Sequence, residues 1–282
     1  MSNRIERALE ALKAENKKAF ITYVTAGLPD METTKEIIKA QVGYTDVIEL
    51  GIPFSDPIAD GPVIQQASFE AIQGGANIAG AFRLMKELRA EGVEIPIVFM
   101  LYYNTVFNMG EAEFINRCRE CGVDGLIIPD LPYEEQDGMR AAIGDDDTTI
   151  QIQLIAPTSG DRIPTLLNNA KGFVYCVSAM GVTGQEGTFH KSVEEYLKSV
   201  KSQSGIPVMM GFGIRTAEDV RPFKDIIDGA IVGTHFINLL REGDFKPEVA
   251  TAYVKEFKEA INSLLKRLFR IYTPYETVYD ML

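Results

Sequence analysis

The sequence predicts an α/β fold, a single (β/α)8 TIM barrel, and three observations support that prediction. Short apolar runs typical of buried strands alternate along the chain with amphipathic runs typical of helices. There are eight such strand runs, and eight strand–helix units fit a closed barrel better than an open sheet. The length of 282 residues suits such a barrel, and no linker-like or low-complexity segment divides it. We therefore expect one domain over residues 1–282.

The eight predicted strands are short and apolar, as expected of parallel strands that are buried on both faces. They lie at Ala19–Thr25, Val47–Leu50, Ile97–Leu101, Gly125–Ile128, Ile150–Ile155, Phe173–Val177, Val208–Met210 and Ala230–Val232.

The predicted helices begin with an amphipathic N-terminal helix, Ile5–Glu15, ahead of the first strand. Asp30 is a suitable N-cap for the helix that follows that strand. The connecting helices are predicted at Met31–Gln41, Val63–Gln73, Ile78–Glu91, Glu111–Cys121, Glu134–Ile143, Asp161–Asn169, Ser192–Lys201 and from Thr216 onward. After the eighth strand we expect an extra short helix, Thr234–Leu240, and a long closing helix from Pro247 to about Phe269. The aromatic-rich tail, Leu268–Leu282, either docks on the barrel or a partner or forms a flexible end.

Composition and charge exclude several classes of function. A net charge of −12 and a pI near 4.8 argue against binding to nucleic acid or to anionic membrane surfaces. No apolar run approaches the roughly 20 residues that span a bilayer, and the charged N-terminus is unlike a signal peptide. Three cysteines do not make a disulfide framework, and we interpret Cys118 and Cys121 as packing thiols within a helix. We expect a soluble, cytoplasmic protein.

The stretch Val47–Gln66 contains the strongest candidate catalytic residues. Its sequence, VIELGIPFSDPIADGPVIQQ, begins as an apolar strand that Glu49 interrupts near its end. A buried carboxylate is costly unless it has a partner or a function. The next loop carries Asp56 and Asp60 and is stiffened by prolines and glycines.

Two carboxyls in unlike environments suit general acid–base chemistry. The stretch Val47–Gln66 is equally consistent with a structural role, in which Glu49 pairs with a basic residue and the aspartates only shape turns. In a barrel, active sites lie at the carboxyl ends of the strands, where Glu49 and Asp60 fall. The predicted fold therefore favours the catalytic interpretation.

Glycines follow the sixth, seventh and eighth predicted strands, at 181–184, 211–213 and 233. Backbone N–H groups freed by glycine, together with the N-terminus of the short helix that Thr234 opens, form an anion site without a lysine. A phosphate site is frequent at this place in such barrels, so we favour it over turn glycines alone. The string GFGIRT has Thr216 where a dinucleotide fingerprint needs its last glycine, so a dinucleotide site is not expected.

Lysine and metal chemistry find little support. No predicted strand carries a lysine positioned to point into the barrel, which argues against a Schiff-base aldolase. His190 and His235 are the only histidines and lack the spacing of a metal site, so no metal is expected. His235 and Arg215 either lend charge near the phosphate or are solvated. A phosphorylated substrate handled by two carboxylates is what remains.

At these residues the sequence resembles the tryptophan synthase alpha chain family, from the N-terminal helix to about Leu240. The strings that carry the resemblance are ELGIPFSDPIADGP, YYNTVFNMG, IIPDLPYEE, GVTG, GFGI and IVGTH. The resemblance implies a (β/α)8 barrel that cleaves indole-3-glycerol phosphate to indole and glyceraldehyde 3-phosphate in a retro-aldol reaction of tryptophan biosynthesis. It also implies no cofactor of the chain's own and a partner, the pyridoxal-phosphate-dependent beta chain, in an alpha2beta2 complex.

The resemblance assigns roles to individual residues. Glu49 corresponds to the general acid–base and Asp60 to the residue that holds the indole N–H. The implied walls of the indole pocket, which are equally consistent with core packing, are Tyr23, Tyr102, Ile127 and Tyr175. The implied phosphate and loop contacts are Thr183, Gly184, Phe212, Gly213, Gly233 and Thr234. The implied contacts with the beta chain are Pro53, Asp56, Pro57, Asn104, Phe107 and Asn108.

One departure from the family keeps alternatives open. The family usually places an arginine soon after the serine that follows the sixth strand, whereas here Ser178 is followed by Ala179 and Met180. We expect the missing arginine to affect closure of this loop and coupling to a partner more than the cleavage chemistry. The alternatives are a catalytically weak barrel that serves as a binding or regulatory subunit of a pyridoxal-phosphate enzyme, a stand-alone indole-producing lyase, and a different phosphosugar isomerase or lyase.

Overall fold

The computed structural model describes residues 3–177, 186–211 and 213–269, with the backbone alone for 186–191 and 264–269. Its strands form one parallel sheet that curls into a nearly closed barrel, in the order β5-β4-β3-β2-β1-β9-β8-β7-β6. The strands are β1 Ala19–Thr25, β2 Val47–Gly51, β3 Ile97–Met100, β4 Gly125–Ile127, β5 Ile150–Gln151, β6 Gln153–Ile155, β7 Val174–Val177, β8 Val208–Gly211 and β9 Gly229–Val232. The predicted TIM barrel is confirmed.

The fifth predicted strand, Ile150–Ile155, is split into β5 and β6 by the single residue Ile152. β5 pairs with β4, whereas β6 pairs with β7 on the other side. The break lets one segment of chain change neighbours and join the two ends of the sheet. Nine strands therefore still make eight strand–helix units.

Helices surround the barrel between successive strands. They are α1 Arg4–Ala14, α2 Met31–Ala40, α3 Pro62–Gln73, α4 Ile78–Ala90, α5 Tyr103–Met109, α6 Glu111–Cys121, α7 Asp137–Ile143, α8 Ile163–Leu167, α9 Glu186–Gln203, α10 Ala217–Val220, α11 Thr234–Glu242 and α12 Pro247–Phe269. Short 3-10 turns lie at Tyr133–Glu135, Pro157–Arg162 and Arg221–Phe223. Among the described helices none is long and apolar enough to cross a membrane.

Helix α5 was not predicted from the sequence. It has seven residues, and Val106 is its one buried residue, so its hydrophobic periodicity is weak. It directly follows Tyr102, which lies at the carboxyl end of β3. The extra helix therefore adds structure beside the predicted active-site loops.

The interior of the barrel is apolar, and α1 closes its amino-terminal end. Ile5 and Leu9 of α1 pack against inward-facing strand residues and are 0% and 5% exposed. The strand residues in this cluster are Ala19, Ile21, Val47, Val98, Ile127, Ile150, Ile152, Phe173, Tyr175, Met209 and Ile231. A second, larger core fills the space between strands and helices, where Phe20 stacks on Phe257 at 4.2 Å between ring centroids.

A buried ionic cluster fixes the N-terminal helix to the strands. Asp124, 1% exposed, accepts from Arg89 at 2.7 Å and from Arg4 at 3.0 Å. It also accepts the backbone N–H of Ile97 at 2.8 Å. Asn3, the N-cap of α1, donates to the carbonyl oxygen of Asp124 at 2.8 Å. The first helix is thus tied to the start of β4.

We expect Asp124→Asn to lower the free energy of unfolding by about 3–5 kcal/mol, because removing the charge of Asp124 leaves the partly buried Arg89 without its ion-pair partner. Urea denaturation measures the change. The matched control is Glu94→Gln, since Glu94 also pairs with Arg4, at 2.7 Å, but is 69% exposed. That variant should change stability by less than about 1 kcal/mol. Equal effects of the two substitutions would contradict the prediction.

Candidate active site

A cavity of about 490 Å³ opens at the carboxyl ends of the strands. Its walls come from β1, β2, β3, β7 and β9 and from the segments after β2, β8 and β9. The lining residues are Tyr23, Glu49, Asp60, Gly61, Ile64, Met100, Tyr175, Gly213, Ile214, Arg215, Ile231, Gly233, Thr234, His235 and Asn238. This is the end at which barrel enzymes carry their active sites. The cavity brings both candidate carboxylates together with the candidate phosphate segments.

Glu49 is the most deeply buried acid in the cavity. It lies on β2 between Tyr23 of β1 and Val98 of β3 in the strand register, and it is 1% exposed. Within the described part of the chain its Oε1 atom has no hydrogen-bond partner. Burial in this apolar setting raises the pKa of the Glu49 carboxyl to about 8. The carboxyl is therefore mostly protonated at neutral pH and is poised to exchange a proton.

Asp60 lies in the loop between β2 and α3, where Tyr102 positions it. The Tyr102 hydroxyl donates to Oδ2 of Asp60 at 2.9 Å and accepts the backbone N–H of Ala59 at 2.9 Å. The ring of Tyr102 also stacks on Phe54 of the same loop, at 5.0 Å between centroids. Burial raises the pKa of the Asp60 carboxyl, and the hydrogen bond from Tyr102 opposes that rise. Tyr102 therefore does not line the cavity but anchors a residue that does.

Two glycines allow aromatic rings to cover the ends of the strands. A Cβ atom at Gly51 would lie 1.9 Å from the hydroxyl oxygen of Tyr23, and one at Gly211 would lie 2.6 Å from the ring of Tyr175. Only glycine permits these approaches. Tyr23 and Tyr175 are 4% and 6% exposed, and both line the cavity beside Glu49. They make its inner wall apolar and keep the carboxyl away from water.

The opposite wall can bind an anion through the backbone. Gly213 has a φ of +74°, a conformation that glycine adopts without strain. Gly233 is the N-cap of α11, which begins at Thr234. The first N–H groups of a helix have no partner within it and attract an anion. Arg215 also lines the cavity and brings a positive charge to it, and His235 lies beside Thr234 in the lining.

Ile127, like Tyr102, is a predicted wall residue that does not line the cavity. It is fully buried in the barrel interior, and its register partner on β3, Met100, lines the cavity instead. The lining residues that were not predicted from the sequence are Gly61, Ile64, Met100, Ile214, Ile231 and Asn238. Ile231 could have been found, because it lies two positions before Gly233 and alternation places both on one face. Thr183, Gly184 and Phe212 lie outside the described residues.

The described residues contain no group of three or more His, Cys, Asp or Glu side chains that could hold a metal ion. The three cysteines are free and buried. What the cavity offers is a protonated buried carboxyl, a second carboxyl held by a tyrosine, apolar walls and a backbone anion site. That combination suits proton transfer on an apolar, phosphorylated substrate.

The chain is similar to known proteins in both sequence and structure. A family model described as tryptophan synthase alpha chain matches residues 9–266. The alpha chain of Lachnospira eligens is 59% identical over 263 residues, which cover 93% of this chain and 100% of the relative. That of Alkaliphilus metalliredigens is 46% identical, over 86% of this chain and 91% of the relative. Tryptophan synthase subunit alpha from Legionella pneumophila superposes with a TM-score of 0.84 at 33% identity, over 93% of this chain and all of that structure.

Proposed function

The chain belongs to the tryptophan synthase alpha chain family, and we propose that Glu49 and Asp60 carry the reaction of that family in this protein. The reaction cleaves indole-3-glycerol phosphate to indole and glyceraldehyde 3-phosphate. The observation that supports the assignment is the buried Oε1 of Glu49, which has no hydrogen-bond partner among the described residues and lies in a cavity that Asp60 also lines. None of the comparisons favours a regulatory barrel or a different phosphosugar enzyme over this activity.

Glu49 acts first as an acid and then as a base. Its protonated carboxyl donates a proton to C3 of the indole ring, and the ring nitrogen becomes positively charged. The Glu49 carboxylate then accepts the proton of the hydroxyl on the adjacent side-chain carbon. As that carbon becomes an aldehyde, the carbon–carbon bond breaks and its electrons restore the aromatic ring. Glu49 ends protonated, as it began.

Asp60 stabilises the charge that appears on the ring. Its carboxylate accepts the indole N–H, and the attraction strengthens as the nitrogen becomes positive, so the interaction favours the transition state over the bound substrate. Tyr23 and Tyr175 contact the faces of the indole. Gly213, Gly233 and Thr234 bind the phosphate through backbone N–H groups, and the resemblance adds Thr183, Gly184 and Phe212 to that end.

The pH dependence follows from the two pKa shifts. The value of kcat/KM should fall as the pH rises through about 8, because Glu49 then loses the proton that it must donate. It should also fall in acid, below the raised pKa of Asp60, because a protonated Asp60 cannot stabilise the ring cation. A pH–rate profile of the purified chain measures both limbs, and Asp60→Asn should lose the acidic one. A profile that is flat between pH 7 and pH 10 would contradict the role of Glu49.

Membership of the alpha chain family implies a beta chain partner, and we propose an alpha2beta2 complex in which pyridoxal phosphate belongs to the beta chain. The chain itself then needs no cofactor, and the proposed location is the cytoplasm.

The proposed contact surface for the beta chain combines the loop after β2 with α5. Asp56, Asn104, Phe107 and Asn108 are exposed and Pro57 is half-buried. Pro53, by contrast, is buried and offers almost no surface to a partner.

Two exposed apolar side chains support this surface. Ile58 of the loop is 83% exposed and Phe107 of α5 is 69% exposed. The hydrogen bond from Ala59 to Tyr102 holds the loop next to the start of α5. Large exposed apolar side chains on neighbouring segments are typical of an interface. Ile58 therefore joins the proposed contact residues.

We expect Ile58→Ser or Phe107→Ser to weaken beta chain binding by about tenfold or more, the effect of removing an interface anchor. Calorimetric titration with a purified beta chain measures it. Phe69→Ser is the matched control, since Phe69 is also exposed, at 58%, but lies on α3. Indole release by the free chain should be unchanged in all three variants. Binding that is weakened only by Phe69→Ser would move the interface to α3.

A further inference from the structure

A second cavity, of about 240 Å³, lies at the amino-terminal ends of the strands, opposite the active site. It is formed by the end of α1, the start of β1, the end of α9 and the residues just before β8 and β9. Its lining residues are Leu9, Leu12, Lys13, Asn16, Lys17, Lys18, Ala19, Lys201, Ser204, Gly205, Ile206, Pro207, Met209 and Asp228. The chemistry described above does not use this cavity.

The lining is strongly basic in a chain whose net charge is −12. It contains four lysines and one carboxylate, Asp228. That carboxylate is already engaged, because its Oδ2 lies 2.5 Å from the ammonium of Lys201 and accepts the backbone N–H of Val208 at 2.7 Å. Lys17 pairs with Glu15 at 2.5 Å. The remaining two lysines carry the excess positive charge.

Lys18 is half-buried, and within the described ranges no carboxylate forms an ion pair with it. Its ammonium donates to the carbonyl oxygen of Ile227, which satisfies a hydrogen bond but not the charge. Burial lowers the pKa of Lys18, nearby Lys201 acts in the same direction, and Asp228 and Asp225 act against it. Bringing an anion to this ammonium would relieve the cost of burying it.

Lys13 supplies the second available cation. It lies in the last turn of α1 on the rim of the cavity, and among the described residues it forms no ion pair. Lys13, Lys18 and Lys201 all line the cavity, and Leu9, Leu12, Ile206 and Met209 give it apolar walls. A ligand that matches both features has a negative group and a small apolar body.

We propose that this cavity is a binding site for a small organic anion, a carboxylate or phosphate ester with an apolar body, held between Lys13, Lys18 and Lys201. The negative group lies among the ammonium groups and the apolar body contacts Leu9 and Met209. The site is separate from the lyase site, and the proposal does not depend on the roles of Glu49 and Asp60.

Benzoate is a suitable probe, and benzyl alcohol is its neutral counterpart of similar shape. In amide NMR spectra of the isotope-labelled full chain, benzoate should shift the signals of Lys18, Gly205 and Ile206 with saturation. The signals of Gly233 and Thr234 report separately on the active site, so binding there is distinguishable. Benzyl alcohol should leave the Lys18, Gly205 and Ile206 signals unchanged.

Substitutions make the test specific. Lys13→Gln should weaken benzoate binding about three- to tenfold without loss of folding, since Lys13 has no described ion pair, and Lys18→Met should weaken it further. Lys198→Gln is the matched control, because Lys198 lies one turn before Lys201 but pairs with Glu194 outside the lining. Equal shifts with benzyl alcohol, shifts at the active site alone, or affinities unchanged in both Lys13→Gln and Lys18→Met would overturn the proposal.

Discussion

Replacing Glu49 with glutamine is expected to lower kcat for indole release by about 10²–10⁴-fold, the contribution of a positioned acid–base group. Glutamine keeps the shape of the side chain but can neither donate a proton to C3 of the indole nor accept one from the substrate hydroxyl. KM should change little, because the apolar walls and the phosphate segment are untouched. Indole release from indole-3-glycerol phosphate, with and without a beta chain, measures the effect.

The same variant should be more stable than the wild type in alkaline solution, which separates lost chemistry from lost folding. The folded-state pKa of Glu49 is about 8, against an ordinary value of 4.5 for glutamate. Below pH 4.5 both states hold the proton. Between pH 4.5 and 8 the unfolded wild type releases it and the folded wild type keeps it, so each rise in pH favours the unfolded state. The stability advantage of Glu49→Gln should therefore grow by roughly 1.4 kcal/mol per pH unit across that window.

Thermal unfolding at pH 5, 7 and 9 measures this trend. Glu94→Gln, which removes an exposed carboxylate, should show neither the loss of activity nor the alkaline gain in stability. A Glu49→Gln protein that is stable and fully active would refute the assignment. A protein that is inactive because it is unfolded at every pH would contradict the stability argument.

Replacing Asp60 with asparagine is expected to lower kcat by about 10²–10³-fold, as for the loss of one group that stabilises transition-state charge. Asparagine can still accept the hydrogen bond from Tyr102, so the loop keeps its anchor while the negative charge is removed. The loss should appear in kcat more than in KM, because the ring nitrogen is fully positive only during the reaction.

Tyr102→Phe provides the complementary variant. It keeps the stacking on Phe54 and the charge of Asp60 but removes the hydroxyl that joins Asp60 to Ala59. We expect a smaller loss than for Asp60→Asn, since positioning is weakened and charge is retained. If Tyr102→Phe reproduced the whole loss, Asp60 would owe its effect to loop position and not to its charge.

The sequence was sufficient to predict the fold because the pattern that specifies it is local and repeats along the chain. Eight apolar runs separated by amphipathic segments specify alternating strands and helices, and β1 and α12 occur with the predicted bounds. Helix α5 was missed because one buried residue in seven gives no periodicity. The break at Ile152 was missed because it arises from pairing with two different neighbours, which no local pattern encodes.

The sequence by itself also determined which residues carry the candidate chemistry, since Glu49 interrupts an apolar strand and Asp60 lies in a rigid loop beside it. Only the tertiary structure decided how they are arranged. Burial raises the pKa of Glu49, and the cavity walls beside it include Tyr23 of β1 and Tyr175 of β7, which meet Glu49 only in the folded barrel. The position of Asp60 depends on Tyr102, 42 residues away. Burial and hydrogen bonding depend on which segments meet in space, and therefore appear only when the barrel closes.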